Sequence, residues 1–202
     1  MTSLPLFPLR SVLFPGGQLH LKVFEARYLD LVATCLREGT PFGVVALQKG
    51  PEVQGNERGA VSFEHIGCVA RILEADCPQP GIMQVRCRGE ERFEIESARQ
   101  ETNGLWTAQV RDVPADAVLP PTSALVGAAR SLAQAIANLK EQGQQPFLQP
   151  FQFERAGWIA YRWCELLPIS NAAKQRLMEL DDPLMRLQLV DEYLRGKGVI
   201  QG

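Results

Sequence analysis

The most informative segment of the sequence is IMQVRCRGEERFEIESA, from Ile82 to Ala98. On both sides of Gly89, apolar and polar residues alternate, which is the period of a strand with one buried face. The apolar positions are Met83, Val85 and Cys87 before the glycine and Phe93 and Ile95 after it. Because this parity is kept across Gly89, we predict one long strand that kinks at the glycine, as at the corner of a small barrel.

Shorter strand-like runs surround this strand, and one helical stretch interrupts them. Further strands are predicted at 18–23, 41–48, 66–75 and 105–113, and an exposed loop at 56–60. Residues 24–39 switch to helical spacing and end at Gly39. The apolar stripe of this helix is Tyr28, Leu29, Val32, Cys35 and Leu36. The first half of the chain is therefore predicted to be a small, partly closed β-barrel with one early helix.

The apolar start of the chain, LPLFPLRSVLFPGG at 4–17, does not have the pattern of a secretory signal. Such a signal has a basic start and an uninterrupted apolar middle, whereas here three prolines interrupt the run and no Lys or Arg precedes Arg10. Proline fixes φ and lacks the N–H that a strand donates. We therefore predict an extended segment with limited pairing at an edge of the barrel.

A proline-containing sequence, VPADAVLPP at 113–121, separates this half from a helical second half. We assign 1–116 to the barrel and 117–202 to a helical bundle, so the predicted fold class is α+β. Helices are predicted at 122–143, 153–167, 170–180 and 181–196. The last has clear end signals, because Asp182 can cap it and Pro183 suits its first turn.

The net charge and hydropathy of the chain argue against two classes of partner, nucleic acids and membranes. The 202 residues carry a formal net charge of -2, whereas nucleic-acid-binding surfaces are usually basic and anionic membranes attract basic clusters. No apolar run approaches the ~20 residues of a membrane-spanning helix. We therefore expect a cytoplasmic protein that does not bind membranes and for which nucleic acid is not the expected partner.

The cysteines do not have the spacing of a metal site. The five residues are Cys35, Cys68, Cys77, Cys87 and Cys164. They include no C-x-x-C pair, and His65 with Cys68 forms one H-x-x-C without the second close pair that structural zinc requires. We expect reduced, mostly buried thiols and neither a metal nor a cofactor.

Motifs of catalytic sites are missing from the sequence. It has no phosphate-binding G-x-x-x-x-G-K-[ST], no G-x-S-x-G and no H-E-x-x-H. His20 is on the polar face of a predicted strand, and His65 precedes another. The carboxylates of Glu90–Glu91 point to opposite faces of a strand, and Asp181–Asp182 are explained by helix capping. We therefore predict no catalytic residues.

One connection between helices, QQPFLQPFQF at 144–153, is unusually apolar. Connections are usually polar, so these side chains are either buried against the barrel or offered to a partner. We favour burial and keep four residues as a candidate protein-binding ledge: Phe147, Leu148, Phe151 and Phe153.

A basic stripe of Arg86, Arg88 and Arg92 on the long strand keeps a second function open, because some small barrels bind RNA. The glutamates of the same segment can pair across neighbouring strands, and that face lacks aromatic side chains on which bases could stack. We expect a solvated, charge-balanced face.

Several ordered motifs resemble the N-terminal, substrate-binding domain of Lon proteases. The chain contains P-L-F-P-L, L-F-P and F-E-x-R-Y at 5–9, 13–15 and 24–28. The family's G-x-x-R-F-x-I element is matched by Gly89, Arg92, Phe93 and Ile95. The segment 166–190 is similar to the family's L-P-…-K-Q-x-L-L-E-…-D-x-x-x-R-L, so the resemblance covers nearly the whole chain.

The resemblance implies a PUA-like pseudo-barrel followed by a helical bundle. In Lon proteases this domain precedes an ATPase module and a Ser-Lys protease module, and helps to capture unfolded or tagged substrates. Neither module is expected in this chain, so the resemblance implies a stand-alone, non-enzymatic protein that binds unfolded or specific proteins or peptides as an adaptor or chaperone-like factor. A small-ligand or RNA-binding PUA-like module is the alternative, and the oligomeric state stays open.

Overall fold

The computed structural model describes residues 2–52 and 61–200, so the loop predicted at 56–60 lies outside the described residues. The chain divides into two compact units, Met1–Pro114 and Ala115–Gly202. Strands dominate the first unit and helices form the second, so the predicted α+β class is confirmed.

Among the described residues, the first unit contains seven strands and one helix. They are β1 (Thr2–Leu9), β2 (Gln18–Val23), α1 (Ala26–Glu38), β3 (Phe42–Lys49), β4 (Ser62–Phe63), β5 (Ile66–Gln79), β6 (Ile82–Gln100) and β7 (Trp106–Asp112). The predicted early helix is confirmed as α1. It ends at Gly39, whose φ of 66° is the left-handed conformation that suits a helix C-terminus.

The strand β6 is the long, kinked strand that the alternation predicts, and the sheet is organised around it. Before Gly89 it pairs with β2 and β5, and beyond the kink it pairs with β5 and then β7. The turn before β2 holds the kink, because the Gly16 N–H donates to the Gly89 oxygen at 2.8 Å and the Gly89 N–H donates to the Gly17 oxygen at 2.9 Å. A Cβ at position 89 would lie 2.2 Å from the carbonyl oxygen of Phe14, so only glycine fits there.

The strand β1 closes the barrel, and the prediction of an edge segment is therefore wrong. Its first half pairs with β7 and its second half, from Leu6, pairs with β3, so that β1, β7, β6, β5 and β3 form a ring. Each half of β1 has one side without a ladder partner among the described residues. Pro5 and Pro8 are three residues apart, so their missing N–H groups face opposite sides of the strand. The prolines are tolerated because β1 exchanges partners at Leu6.

The inward residues of β6 belong to two buried clusters, as their parity predicts. Val85 and Cys87 pack with residues of α1, whereas Phe93 and Ile95 lie in a second cluster beyond the kink. The ring of Phe93 packs on two glycines, Gly43 and Gly67, at each of which a Cβ would come within 2.7 Å of it or closer. The kink thus divides one strand between two parts of the barrel core.

Among the described residues, the second unit contains a 3₁₀ turn (Ser123–Leu125) and four helices. The helices are α2 (Val126–Glu141), α3 (Ala156–Leu166), α4 (Asn171–Glu179) and α5 (Pro183–Gly196). The predicted cap of α5 is confirmed, because Asp182 Oδ1 accepts the N–H groups of Leu184 at 2.9 Å and Met185 at 3.1 Å. Across the part of the chain that the structure describes, no helix combines the length and the apolar character that crossing a membrane requires.

Candidate functional site

The predicted apolar ledge lies in the connection between α2 and α3. Phe147 is buried there, whereas Leu148, Phe151 and Phe153 are half-buried. All three phenylalanines gather around Trp158, a buried residue in the first turn of α3. The connection therefore packs on a helix of its own unit and still leaves apolar surface accessible.

Trp158 is the centre of an aromatic cluster. The ring centroids of Phe147, Phe151 and Phe153 lie 6.4, 6.0 and 5.3 Å from that of Trp158, and the first and third meet it edge to face. Phe151 and Phe153 also meet each other edge to face at 6.0 Å. Aromatic pairs favour this geometry between about 4.5 and 7 Å. The rings therefore fix one another, and the accessible parts of Phe151 and Phe153 are held in place.

A charged pair lies beside the cluster. The fully buried guanidinium of Arg162 is 5.5 Å from the ring centroid of Phe147 and 5.8 Å from that of Trp158. Its Nε lies 3.1 Å from Glu165 Oε2. Burial raises the pKa of Glu165 to about 7, although Arg162 and Lys174 oppose the shift.

A second apolar segment reaches the same end of α3. The backbone oxygen of Leu119 accepts the N–H of Ala156, the first residue of α3, at 2.8 Å. The side chains of Val118 and Leu119 are 62% and 37% exposed. The sequence pattern predicts a linker here. The one feature that could have indicated an accessible apolar surface is the pair of apolar residues among prolines. The fold brings this segment to the N-terminus of α3, the helix that follows the ledge.

Comparison with known proteins identifies the family. The protein-family model described as the ATP-dependent protease La (LON) substrate-binding domain matches residues 3–196 of this chain. The chain belongs to this family. The resemblance predicted from the sequence motifs is therefore confirmed over nearly the whole chain.

Two curated Lon proteases align with the chain. It is 26% identical over 198 residues to the Lon protease of Anaeromyxobacter dehalogenans strain 2CP-C, which covers 96% of the chain and 23% of that protease. It is 38% identical over 72 residues to Lon protease 2 of Myxococcus xanthus, which covers 35% of the chain and 8% of that protein. The chain thus spans less than a quarter of the length of these relatives.

Solved structures of Lon domains share the fold. The crystal structure of a Lon N-terminal domain protein from Xanthomonas campestris has a TM-score of 0.78 and 32% identity, with 96% of this chain and 99% of that chain covered. The N-terminal domain of a Mycobacterium avium complex Lon protease has a TM-score of 0.59 and 16% identity, with 96% and 98% covered. The second of these shows the fold alone.

The F-E-x-R-Y motif of the family fastens α1 to the barrel. Arg27 is buried, pairs with Glu25 at 3.1 Å and donates through Nη1 to the oxygen of Gly104 at 2.7 Å. Tyr28 stacks on Phe7, with ring centroids 3.9 Å apart and planes 11° from parallel. Three of the motif residues thus hold the unit together, while Phe24 remains exposed.

The structure corrects part of the predicted arginine stripe. Arg92 is buried, and its Nη2 donates to the oxygen of Pro114 at 3.2 Å, so the prediction of a solvated side chain is wrong for this residue. Pairing across strands is confirmed for two residues of this segment, because Arg86 pairs with Glu74 at 2.6 Å and Glu90 pairs with Arg71 at 2.7 Å. Within the stripe, Arg92 is thus part of the packed structure, and the charge of Arg86 is neutralised by Glu74.

A buried ion pair that sequence reasoning missed fixes the start of the second unit. The guanidinium of Arg186, fully buried in α5, binds both carboxylate oxygens of Asp116, at 2.5 and 3.1 Å. It also donates to the oxygen of Leu177 at 2.8 Å and lies 4.1 Å from the ring centroid of Tyr161. In the sequence, Arg186 stands out as the arginine of the D-x-x-x-R-L element, but the neighbouring residues do not identify Asp116 as its partner.

The residues weighed for catalysis are not assembled into one site. His20 Nε2 lies 3.3 Å from Gln18 Nε2 on β2, whereas His65 precedes β5 and accepts the N–H of Ile95 with its backbone oxygen at 2.8 Å. Within the described residues, no group of three or more His, Cys, Asp or Glu side chains could hold a metal ion.

The thiols differ sharply in accessibility, which gives a first prediction. Cys77 is exposed and the other four are buried, and burial raises the pKa of Cys87 and Cys164 to about 12. Because the thiolate is the reactive form, we expect one thiol per native chain to react with iodoacetamide at pH 8. Mass spectrometry should place the label on Cys77, and all five thiols should react in denaturant. Fast labelling of a second native thiol would contradict the packing of these cysteines.

Proposed function

We propose that this chain is a non-catalytic polypeptide-binding module that holds apolar segments of unfolded or partly folded proteins on the ledge. The accessible parts of Leu148, Phe151 and Phe153 are the contact surface, and buried Phe147 supports them. The observation that carries the proposal is the fixed cluster around Trp158, which leaves aromatic surface accessible.

The geometry favours binding over a merely structural use of these rings. Aromatic side chains that are already ordered lose little conformational freedom when a partner arrives, and Phe is among the residues enriched at protein interfaces. The exposed pair Val118 and Leu119 adds apolar surface from a second segment. An unfolded segment could thus bury apolar side chains on two parts of the same unit.

We further propose an adaptor or chaperone-like role in the cytoplasm, without covalent chemistry. The relatives are Lon proteases, and the part of them that this chain matches is the substrate-binding domain. Capture of a polypeptide needs only apolar burial and shape. The chain's own contribution would be to hold a protein segment.

Binding of an unfolded model protein tests this proposal. We expect Phe151→Ala and Phe153→Ala to weaken binding of a carboxymethylated, permanently unfolded protein about tenfold, because each removes an interface anchor. Val118→Asp places a charge on exposed apolar surface and should also weaken binding. Fluorescence anisotropy of the labelled unfolded protein measures the three affinities.

Leu36→Ala is the matched control, because Leu36 is also an exposed apolar side chain but lies on α1 in the first unit. It should leave the affinity unchanged. Thermal melting of each variant separates lost binding from lost folding, and Val118 is the most exposed of the three positions. Wild-type affinity in both Phe151→Ala and Phe153→Ala would reject the ledge as the binding surface.

A further inference from the structure

A groove of about 640 Å³ on the barrel unit is not used by the ledge. Its floor is a patch of three neighbouring strands, with β6 between β2 and β5. Two cross-strand rows of polar side chains line it: His20, Arg86 and Glu74 in one, and Lys22, Gln84 and Asp76 in the other. The groove therefore lies on the polar face of this patch.

Both rows end with an acidic side chain on β5. On β2, the first row begins with His20 and the second with Lys22. In the first row, Arg86 and Glu74 neutralise each other at 2.6 Å. In the second row, Lys22 and Asp76 have no ion-pair partner within the described residues, and Asp76 accepts only the neighbouring N–H of Cys77, at 2.8 Å. The groove thus presents one unpaired cation and one unpaired anion on opposite sides.

The separation of the strands that carry these charges matches a repeat of an unfolded chain. Neighbouring strands lie about 4.8 Å apart, so the backbones that carry Lys22 and Asp76 are separated by about 10 Å across β6. A polyproline II segment, the extended conformer common in unfolded chains, has three residues per turn and rises ~3.1 Å per residue. Residues i and i+3 of such a segment therefore point the same way, about 9 Å apart.

We propose that this groove binds an extended segment of another polypeptide that carries an acidic and a basic side chain three residues apart. The carboxylate pairs with Lys22 and the cation pairs with Asp76. Gln84 lies between them, and its side-chain amide can both donate to and accept from a backbone peptide group. The site would recognise the spacing of two opposite charges on the peptide. It involves only residues of the first unit and does not depend on the ledge.

The charges favour a polypeptide over a nucleic acid. Lys22 and Arg86 are balanced by Glu74 and Asp76, so these four charged side chains give the groove no excess of positive charge. A phosphate backbone placed along it would meet two carboxylates, whereas affinity for nucleic acids rests on neutralising phosphates. A segment with one charge of each sign satisfies both unpaired groups.

Labelled peptides of one length test the proposal on the full chain. Their backgrounds are Ser and Pro, and they carry Glu and Lys, two Glu, two Lys or two Gln at positions i and i+3. In fluorescence anisotropy at low ionic strength, we expect the Glu–Lys peptide to bind about fivefold more tightly than the others, as one or two exposed ion pairs allow. Equal binding of all four peptides would overturn the proposal.

Charge reversals then place the site. Lys22→Glu and Asp76→Lys should each remove the preference for the Glu–Lys peptide. The double variant should restore it, because the two charges are exchanged, the net charge is unchanged and the peptide can bind in the opposite direction. Lys140→Glu, an exposed reversal on α2, should have no effect.

Two outcomes would count against the groove. Wild-type preference in both single variants would place peptide binding elsewhere. Binding of a single-stranded oligouridylate that is lost in Lys22→Glu and strengthened in Asp76→Lys would instead assign the groove to a polyanion. Phe151→Ala should leave the peptide preference intact, so failure of the ledge and failure of the groove are distinguishable.

Discussion

Replacement of Gly89 by alanine is expected to lower the free energy of unfolding by roughly 3 to 5 kcal/mol, from overpacking and from the loss of two backbone hydrogen bonds. The new Cβ would lie 2.2 Å from the Phe14 oxygen, which is backbone and cannot rotate away. The turn cannot withdraw freely either, because Gly16 and Gly17 bind the backbone of Gly89 on both of its polar groups. Relief of the clash therefore requires breaking the contact that holds the kink of β6.

Gly81→Ala provides the comparison for Gly89→Ala. Gly81 lies in the turn between β5 and β6 with a φ of 77°, and nothing lies within 4 Å of the position a Cβ would take. Its replacement should cost only about 1 kcal/mol, from the left-handed backbone conformation. Urea unfolding followed by circular dichroism measures both variants, and hydrogen exchange of the β6 amides locates the effect. A smaller loss for Gly89→Ala than for Gly81→Ala would show that the turn adapts.

The kinked strand illustrates what local sequence pattern can and cannot predict. Alternation on either side of Gly89 predicts β6 and its inward residues, because strand period and burial are both local properties. The reason that glycine is required is not local. It lies in the carbonyl of Phe14, which reaches β6 only through tertiary folding. The same limit applies to β1, because no local pattern in the sequence indicates its parallel pairing with β3.

The candidate sites were open to prediction to different degrees. The phenylalanines of the ledge stand out in the sequence, because four large apolar residues in a connection need either burial or a partner. Leu119 could not be added to them, because its position rests on a backbone hydrogen bond to Ala156. The groove was hidden for a similar reason. The row from Lys22 to Asp76 exists only once the registers of β2, β6 and β5 are known.

Arg186→Met is expected to lower the free energy of unfolding by about 3 to 5 kcal/mol, the usual cost of removing one partner of a buried ion pair. The substitution keeps much of the side-chain volume, so packing is not the main loss. It leaves Asp116 without its cation and the oxygens of Leu177 and Leu180 without this donor. Trp106 lies in the first unit, so denaturation followed by tryptophan fluorescence in a Trp106→Phe background, which leaves Trp158 and Trp163, reports on the second unit. Arg176→Met is the control, because Arg176 is 83% exposed where it pairs with Glu179, and it should cost at most about 0.5 kcal/mol.

A double-mutant cycle separates the ion pair from the other contacts of Arg186. If the pair with Asp116 dominates, Asp116→Ala together with Arg186→Met should cost less than the sum of the single changes by about 2 kcal/mol, because no buried charge is then left alone. Additive losses would instead assign the effect to the carbonyl oxygens and to the ring of Tyr161, 4.1 Å from the guanidinium. The close approach of Asp116 to Gly157, where a Cβ would lie 2.3 Å from Oδ2, favours the first result. That carboxylate is enclosed between α3 and α5, so it has little access to water once its partner is removed.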